Sequence, residues 1–471
     1  MGGRTARQEP RVKPVVIVGA GLSGLSAGVT LTSGHIPVLL LEQKPSPGGR
    51  AYSFTDRTTG DVVDNGQHLL IAGYERTLQF LKTIGTLDRL SIQPRPEILF
   101  HHPERGFRRL RLPLLPSPLH FVWGIMTLDL LSVADRLQLL QAGRTIAGFS
   151  DATAGPLHDL TVRQWLDLEG QSVECIRSFW EPLAVSIMNE RIDAASAVVL
   201  VRSLRAAFLS GPRSAALAVA TVGLSDLYAD AAVEFIRSGG GDVRCGVDVA
   251  GLRVQDNAVA GVLARDGTEF PAAAVVLAVP SNRIAGLLPE SVLKITTLAA
   301  FAENPAAPIV SIHLWFERDF MPHDLVGVIG RRVQWVFNRR RIAPDAQRTD
   351  GHVTSVISAA YDFVSSSNED LVRIACGDLR QMYGIAVPPP IHALVIREKR
   401  ATFSLTPAIE RLRPDQRTTL ENLFLAGDWT STGFPATIEG AIVSGERCAA
   451  LVAASLGDQK KSGGERPVAF L

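Results

Sequence analysis

The sequence predicts an α/β protein in which a parallel sheet, covered on both faces, is joined to a second region of mixed helix and strand. Three observations carry this. Val15-Val16-Ile17-Val18 is a short β-branched run between Pro14 and Gly19, the pattern of a strand buried on both sides. A small-residue helix from about Leu22 to Ser33 leads to Val38-Leu39-Leu40-Leu41, which closes on Glu42, so strand, helix and strand fit in about 30 residues. Near the other end, Leu423-Phe424-Leu425-Ala426 repeats the apolar run and precedes a helix from about Pro435 to Ala454. At 471 residues the chain exceeds one ordinary core, so two domains, interleaved in sequence, are expected.

Gly34 ends the first helix as the residue just past its last turn. A middle section begins near residue 80; Leu110 to Leu140 is rich in Leu, Pro, Phe and Trp, and Thr161 to about Phe208 reads as successive helices. An amphipathic helix over Asp226–Arg237 puts Leu227, Val233 and Ile236 on one face, then runs through Gly239-Gly240-Gly241 into a strand toward Val249. Turn signals at Asp256-Asn257 and Asp266-Gly267 separate short strands, and Val275 to Val279 is a buried strand stopped by Pro280. Strand patterns at Ile309–Phe316, Val333–Phe337, Val353–Ser358 and Ala393–Ile396 accompany one helix, Glu369–Tyr383. Residues 1–80, 225–300 and 415–456 therefore form one domain. Residues 81–224 (mainly helical) and 301–414 (sheet-containing) form the other, and 457–471 is a flexible tail.

Lys and Arg total 48 against 47 Asp and Glu, a balance that argues against a nucleic-acid surface. The run Arg339-Arg340-Arg341 reads as a solvated turn. Four scattered cysteines form no CxxC, so neither a zinc site nor a disulfide framework is indicated, and the tandem His101-His102 lacks metal-ligand spacing. The apolar run after the basic N-terminus is too short for a signal-peptide core. A cytoplasmic protein, in peripheral contact at most with the inner face of the cell membrane, is expected.

Gly19-Ala20-Gly21-Leu22-Ser23-Gly24 is a GxGxxG between strand and helix, with the acidic Glu42 at the end of the next strand. That context makes it the dinucleotide fingerprint. Gly19 permits the tight turn, Gly21 admits the pyrophosphate, Gly24 lets helix and strand pack, and Glu42, followed by Gln43, accepts from a ribose. The helix N-terminus favours the phosphates. Gly48-Gly49-Arg50 follows closely; alone it is an ordinary turn. Ala426-Gly427-Asp428 ends the late strand, and Pro435-Ala436-Thr437-Ile438-Glu439-Gly440 opens the last helix.

Together these segments resemble the flavin-containing amine oxidase and phytoene desaturase superfamily over nearly the whole chain. The resemblance implies FAD in a glutathione-reductase-like Rossmann domain beside an α+β substrate-binding domain. It sets Gly49, Arg50 and Gly427-Asp428 on the cofactor, Thr437 and Ile438 at the pyrimidine end of the flavin, and Val249 against adenine. Asp64-Asn65-Gly66-Gln67-His68, Phe179-Trp180-Glu181-Pro182-Leu183, Val333-Gln334-Trp335-Val336-Phe337 and Gly433-Phe434-Pro435-Ala436-Thr437-Ile438-Glu439 are similar to the bacterial hydroxysqualene dehydroxylases. That resemblance implies reductive removal of a hydroxyl from an apolar C30 isoprenoid in hopanoid biosynthesis, with reduced FAD as hydride donor. It brings Gly66, Gln67 and His68 to the flavin.

A departing hydroxyl calls for an acid. His68 suits by residue type, with a structural histidine as the alternative; Glu439 is second, unless it caps its helix, and Asp64 is third, unless it anchors its loop. Trp180, Trp335, Phe337 and Phe434 are candidates to line an apolar cavity, each with core packing as the alternative. Leu112 to Trp123 reads as either a membrane-facing entrance or buried core. Two other functions compete. A desaturase or amine oxidase on the same scaffold would pass hydride from substrate to flavin. A prenyl-binding carrier resembling the GDP-dissociation inhibitors would lack parts of the FAD apparatus that are all present here.

Overall fold

The computed structural model describes residues 13–150, 152–295, 298–344, 346–384 and 387–462. The start of the basic N-terminal segment and residues 463–471 of the expected tail lie outside the described residues.

Five parallel strands form the first sheet, in the order Asp242–Cys245, Val38–Glu42, Val15–Val18, Ala274–Leu277 and Leu423–Leu425. Alternation sends the apolar side chains of the four inner and far-edge strands to two separate cores, while the edge strand Asp242–Cys245 buries only Val243. Val16, Val18, Leu39, Leu41, Val275 and Leu277 enter one. Val15, Ile17, Leu40, Ala274, Val276 and Phe424 enter the other, under the helices Leu22–Ser33, Asp230–Ser238 and Ile438–Ser462. The first and last of these helices lie close together. Ser26 Oγ donates to the Ile442 carbonyl at 2.9 Å, and a Cβ on Gly445 would sit 2.3 Å from the Ser23 carbonyl oxygen. An antiparallel meander, Val249–Gln255, Ala258–Ala264 and Glu269–Pro271, packs into the first core.

The second large sheet has seven strands, ordered His392–Phe403, Ala306–Phe316, Gly351–Ile357, Trp335–Asn338, Leu325–Val328, Glu97–His102 and Gly106–Arg111. Its register aligns Ser311 with Val356 and Trp335, and His313 with Thr354 and Phe337, so these side chains share one face. The hairpin 97–111 falls in the stretch expected to be mainly helical. It sits at the sheet edge, where Arg108, Arg109 and Arg111 blur the apolar alternation.

Among the element ends that differ from expectation, three belong to the first and last helices. Gly34 has φ −85°, and the left-handed residue is His35 at φ 57°. The last helix begins at Ile438 rather than Pro435, because Thr437 Oγ1 accepts from Gly440 N at 3.1 Å and so caps it. That helix also runs past Ala454 to Ser462. No helix among the described residues is long and apolar enough to cross a membrane.

Candidate active site

A cleft of about 470 Å³ opens where the parallel sheet meets the strand His392–Phe403 of the larger one. Its wall begins at the glycine turn. Gly19, at φ +106°, makes a turn that only glycine takes without strain, and a Cβ there would meet the Ala278 carbonyl oxygen at 2.6 Å. Gly21, Leu22 and Ser23 follow on the wall. Gly21 stands at the N-cap with no side-chain hydrogen bond to the first turn, which holds no acidic residue, and a Cβ on it would meet no atom within 4 Å. Free helix N–H groups beside a side-chain-free glycine suit an anionic pyrophosphate.

Glu42 and Gln43 form the next part of the wall. The buried Glu42 carboxylate accepts from Ala20 N at 2.7 Å and Lys44 N at 2.9 Å, and Gln43 Nε2 donates to Asp248 Oδ1 at 3.1 Å. Glu42→Gln must turn its amide NH₂ toward one of those backbone donors. We expect FAD affinity to fall about five- to tenfold, with some loss of stability, since a buried N–H loses its acceptor. Calorimetric titration of the apoprotein measures this, and equal affinity would place Glu42 away from the ribose.

Gly49, Arg50, His68, Val249, Gly427, Asp428, Thr437 and Ile438 also line the cleft. Arg50 donates to Asp428 Oδ2 at 2.7 Å and to the Ala401 carbonyl at 2.6 Å, tying both sheets together across it. Asp428 keeps the guanidinium charged by raising its pKa. Burial lowers the His68 pKa; Asp64 opposes this and Arg50 reinforces it. The resting imidazole is therefore neutral at neutral pH.

Four residues of the segments assigned to the cofactor do not line the cleft. Ala20 is buried and offers its N–H to Glu42. Gly24 serves packing, since a Cβ there would lie 1.9 Å from the Gly19 carbonyl oxygen. Gly66 and Gln67 face the seven-stranded sheet: a Cβ on Gly66 would be 3.8 Å from Ser311 Oγ, and Arg339 donates to Gln67 Oε1 at 3.1 Å. Conversely, sequence reading missed Ala401, Thr402 and Phe403, which line the cleft from the strand 392–403. The charged run Arg397-Glu398-Lys399-Arg400 at the end of that strand was the available signal.

The two carboxylate candidates are otherwise engaged. Glu439 accepts from Arg76 N at 3.0 Å, Thr77 N at 2.8 Å and Thr77 Oγ1 at 2.6 Å, capping the helix Glu75–Ile84 rather than its own. Asp64 Oδ1 accepts from Ser53 Oγ at 2.8 Å and Leu224 N at 3.0 Å, anchoring its loop.

The aromatic candidates divide. Trp180 is a core residue: its Nε1 donates to Gln171 Oε1 at 2.7 Å, and its ring meets Trp165 and Phe179 edge to face. Trp335 and Phe337 cluster with Leu69, Val219 and Ile309 on the sheet face beneath the Asp64–His68 segment. Phe434 is half-buried outside the cleft wall. The arginine run is not a solvated turn. Arg339 is buried, and Arg340 pairs with Asp61 through both nitrogens at 2.8 Å and with Asp350 at 2.7 Å.

A family model described as flavin-containing amine oxidoreductase matches residues 22–453. The chain belongs to this family. Its cofactor is FAD, and the cleft offers this flavoenzyme an uncapped helix N-terminus, a buried acid and a glycine cradle suited to that dinucleotide. A hydroxysqualene dehydroxylase from Rhodopseudomonas palustris is 33% identical over 452 residues, covering 94% of this chain and 99% of its own. A 15-cis-phytoene desaturase from an Oncidium hybrid cultivar is 27% identical, over 94% of this chain and 80% of its own. Among solved structures, putrescine oxidase with bound putrescine aligns at a TM-score of 0.70 and 17% identity, covering 94% of this chain and 99% of its own. That likeness concerns the fold alone.

Proposed function

We propose that this flavoenzyme reductively removes the hydroxyl of hydroxysqualene to give squalene. The observation that carries the reading is the end-to-end match to the Rhodopseudomonas dehydroxylase, with two further hydroxysqualene dehydroxylases at 29% and 28% identity. Bound reduced flavin supplies the hydride that replaces the hydroxyl and is oxidised by two electrons; the oxygen leaves with one proton as water. This chain's residues bind, orient and exclude water. Arg50, Asp428, Thr437 and Ile438 line the cleft and would hold the cofactor, with Arg50 and Asp428 paired across it, and His68 stands on its wall. Trp335, Phe337, Ile309 and Leu69 form an apolar cluster beside the Asp64–His68 segment, the side from which an isoprenoid would reach the flavin. Anaerobic, photoreduced holoprotein mixed with hydroxysqualene is expected to yield squalene. Desaturation of phytoene by the oxidised protein, without squalene in the first assay, would put a desaturase in its place.

We also propose a cytoplasmic protein in peripheral contact with the inner face of the cell membrane. Leu114, Leu115, Leu119, Val122, Trp123 and Met126 are exposed along one short segment that includes the helix Leu119–Met126. Leu119 and Trp123 are 56% and 59% exposed, one turn apart, whereas Phe121 is 8% exposed and packs on Phe208. Leu119→Ser with Trp123→Ser should therefore lower liposome flotation at least about tenfold, as two large apolar side chains leave the interface. Unchanged flotation removes the membrane contact.

A further inference from the structure

Beneath the Asp64–His68 segment lies a set of buried polar atoms that the fold leaves without hydrogen-bond partners. Asp64 Oδ2, Asn65 Oδ1, Gln67 Nε2 and Ser311 Oγ have no hydrogen-bond partner. Asp64, Asn65, Ser311 and His313 are nearly or wholly buried. Buried polar groups in native proteins are almost always satisfied by protein, water or ligand, so several orphans close together call for an occupant.

Their closeness follows from the sheet. Ser311 and His313 alternate along one strand, so both point to the face that also carries Trp335 and Phe337. Gly66 lies directly over Ser311, and the Asp64 carbonyl faces the His313 ring. The buried Arg339 guanidinium donates to Gln67 Oε1 at 3.1 Å and stands 3.8 Å from Asp64 Oδ2. With its oxygen held by Arg339, the Gln67 amide can offer only its NH₂. The result is one oriented donor, two carboxylate or amide acceptors and a hydroxyl able to do either. That complement matches an alcohol oxygen, or the water it becomes, and it borders the apolar cluster of Trp335 and Phe337.

We infer that Gln67 and Ser311, with Arg339 as the positioning residue that orients Gln67, form the subsite that binds the substrate's hydroxyl oxygen. This rests on the dehydroxylase reading and names where that reaction's leaving group is held. Hydrogen bonds to the oxygen, made here and nowhere along the hydrocarbon, distinguish the alcohol from the product and fix which carbon meets the flavin.

The test uses oxidised holoprotein titrated in detergent micelles with hydroxysqualene and, separately, with squalene, followed through the flavin absorbance. Wild type should bind the alcohol more tightly. Ser311→Ala and Gln67→Leu should each reduce that preference about tenfold, with squalene affinity unchanged. Ser311→Ala is the decisive variant, because the hydroxyl it removes has no protein partner and its loss leaves the fold intact. Gln67→Leu serves as the second. Retention of the wild-type preference in Ser311→Ala, or equal binding of alcohol and hydrocarbon by wild type, overturns the subsite. Wild type that converts hydroxysqualene while the variant keeps its preference overturns the subsite alone. Wild type that makes no squalene when fully reduced removes the parent reading as well.

Discussion

Gly21→Val protein is expected to purify folded and colourless. The Gly21 backbone, at φ −73° and ψ 174°, is extended and open to valine, and a Cβ there meets no atom within 4 Å. The fold therefore has no reason to fail. The space that the new side chain enters is the cradle on the cleft wall, in front of the free N–H groups of the first helix. Methyl groups there exclude the pyrophosphate and cost its charge-assisted hydrogen bonds, an expected loss of at least about 10²–10³-fold in FAD affinity. The absorption band at about 450 nm, which the flavin itself creates, should vanish while far-ultraviolet circular dichroism stays native. Gly24→Val provides the contrast. Its Cβ would lie 1.9 Å from a backbone oxygen, so that variant should lose the fold and the colour together. A yellow Gly21→Val protein would put the dinucleotide elsewhere.

The contrast between these two glycines shows what a sequence makes legible. The strand–turn–helix fingerprint is local, so spacing alone placed Gly21 on the cradle, Gly24 in the packing and Glu42 beside both. Apolar runs likewise marked four strands of the parallel sheet; the fifth, Asp242–Cys245, carries Asp and Arg and was signalled only by the glycines before it. Long-range placement was not legible. Glu439 reads locally as the cap of its own helix, yet it caps a helix 362 residues away in sequence. Gln67 follows a cofactor-side loop but turns toward the other sheet because Arg339 holds its oxygen, a contact spanning 272 residues. The pairing of Ser311 with Val356 and Trp335 joins three separate strands, and no pattern within any one of them announces it. The edge hairpin 97–111 escaped for a different reason: an edge strand keeps its charges.

His68→Ala is expected to slow the reductive step by roughly 10²–10⁴-fold while FAD stays bound. Among the three acid candidates, His68 alone lines the cleft; Glu439 is held by three donors and Asp64 by two. Removal of the imidazole leaves the Arg50–Asp428 pair and the glycine turn untouched, so the protein should remain yellow. The pH dependence separates proton donation from a packing role. Only the imidazolium can donate the proton with which the oxygen leaves, so the rate should fall as pH rises through the His68 pKa. Burial and Arg50 hold that pKa below the ordinary imidazole range, with Asp64 opposing, which sets the falling limb on the acid side of neutrality. His68→Ala should lose that limb along with the rate. Asp64→Asn, by withdrawing the one opposing carboxylate, should move it to still lower pH. Flavin carrying deuterium at N5 should deliver one deuterium to the carbon that bore the hydroxyl, in wild type and slowly in the variant. A normal rate with an unchanged pH profile in His68→Ala would move the acid role elsewhere and leave the deuterium transfer standing on its own.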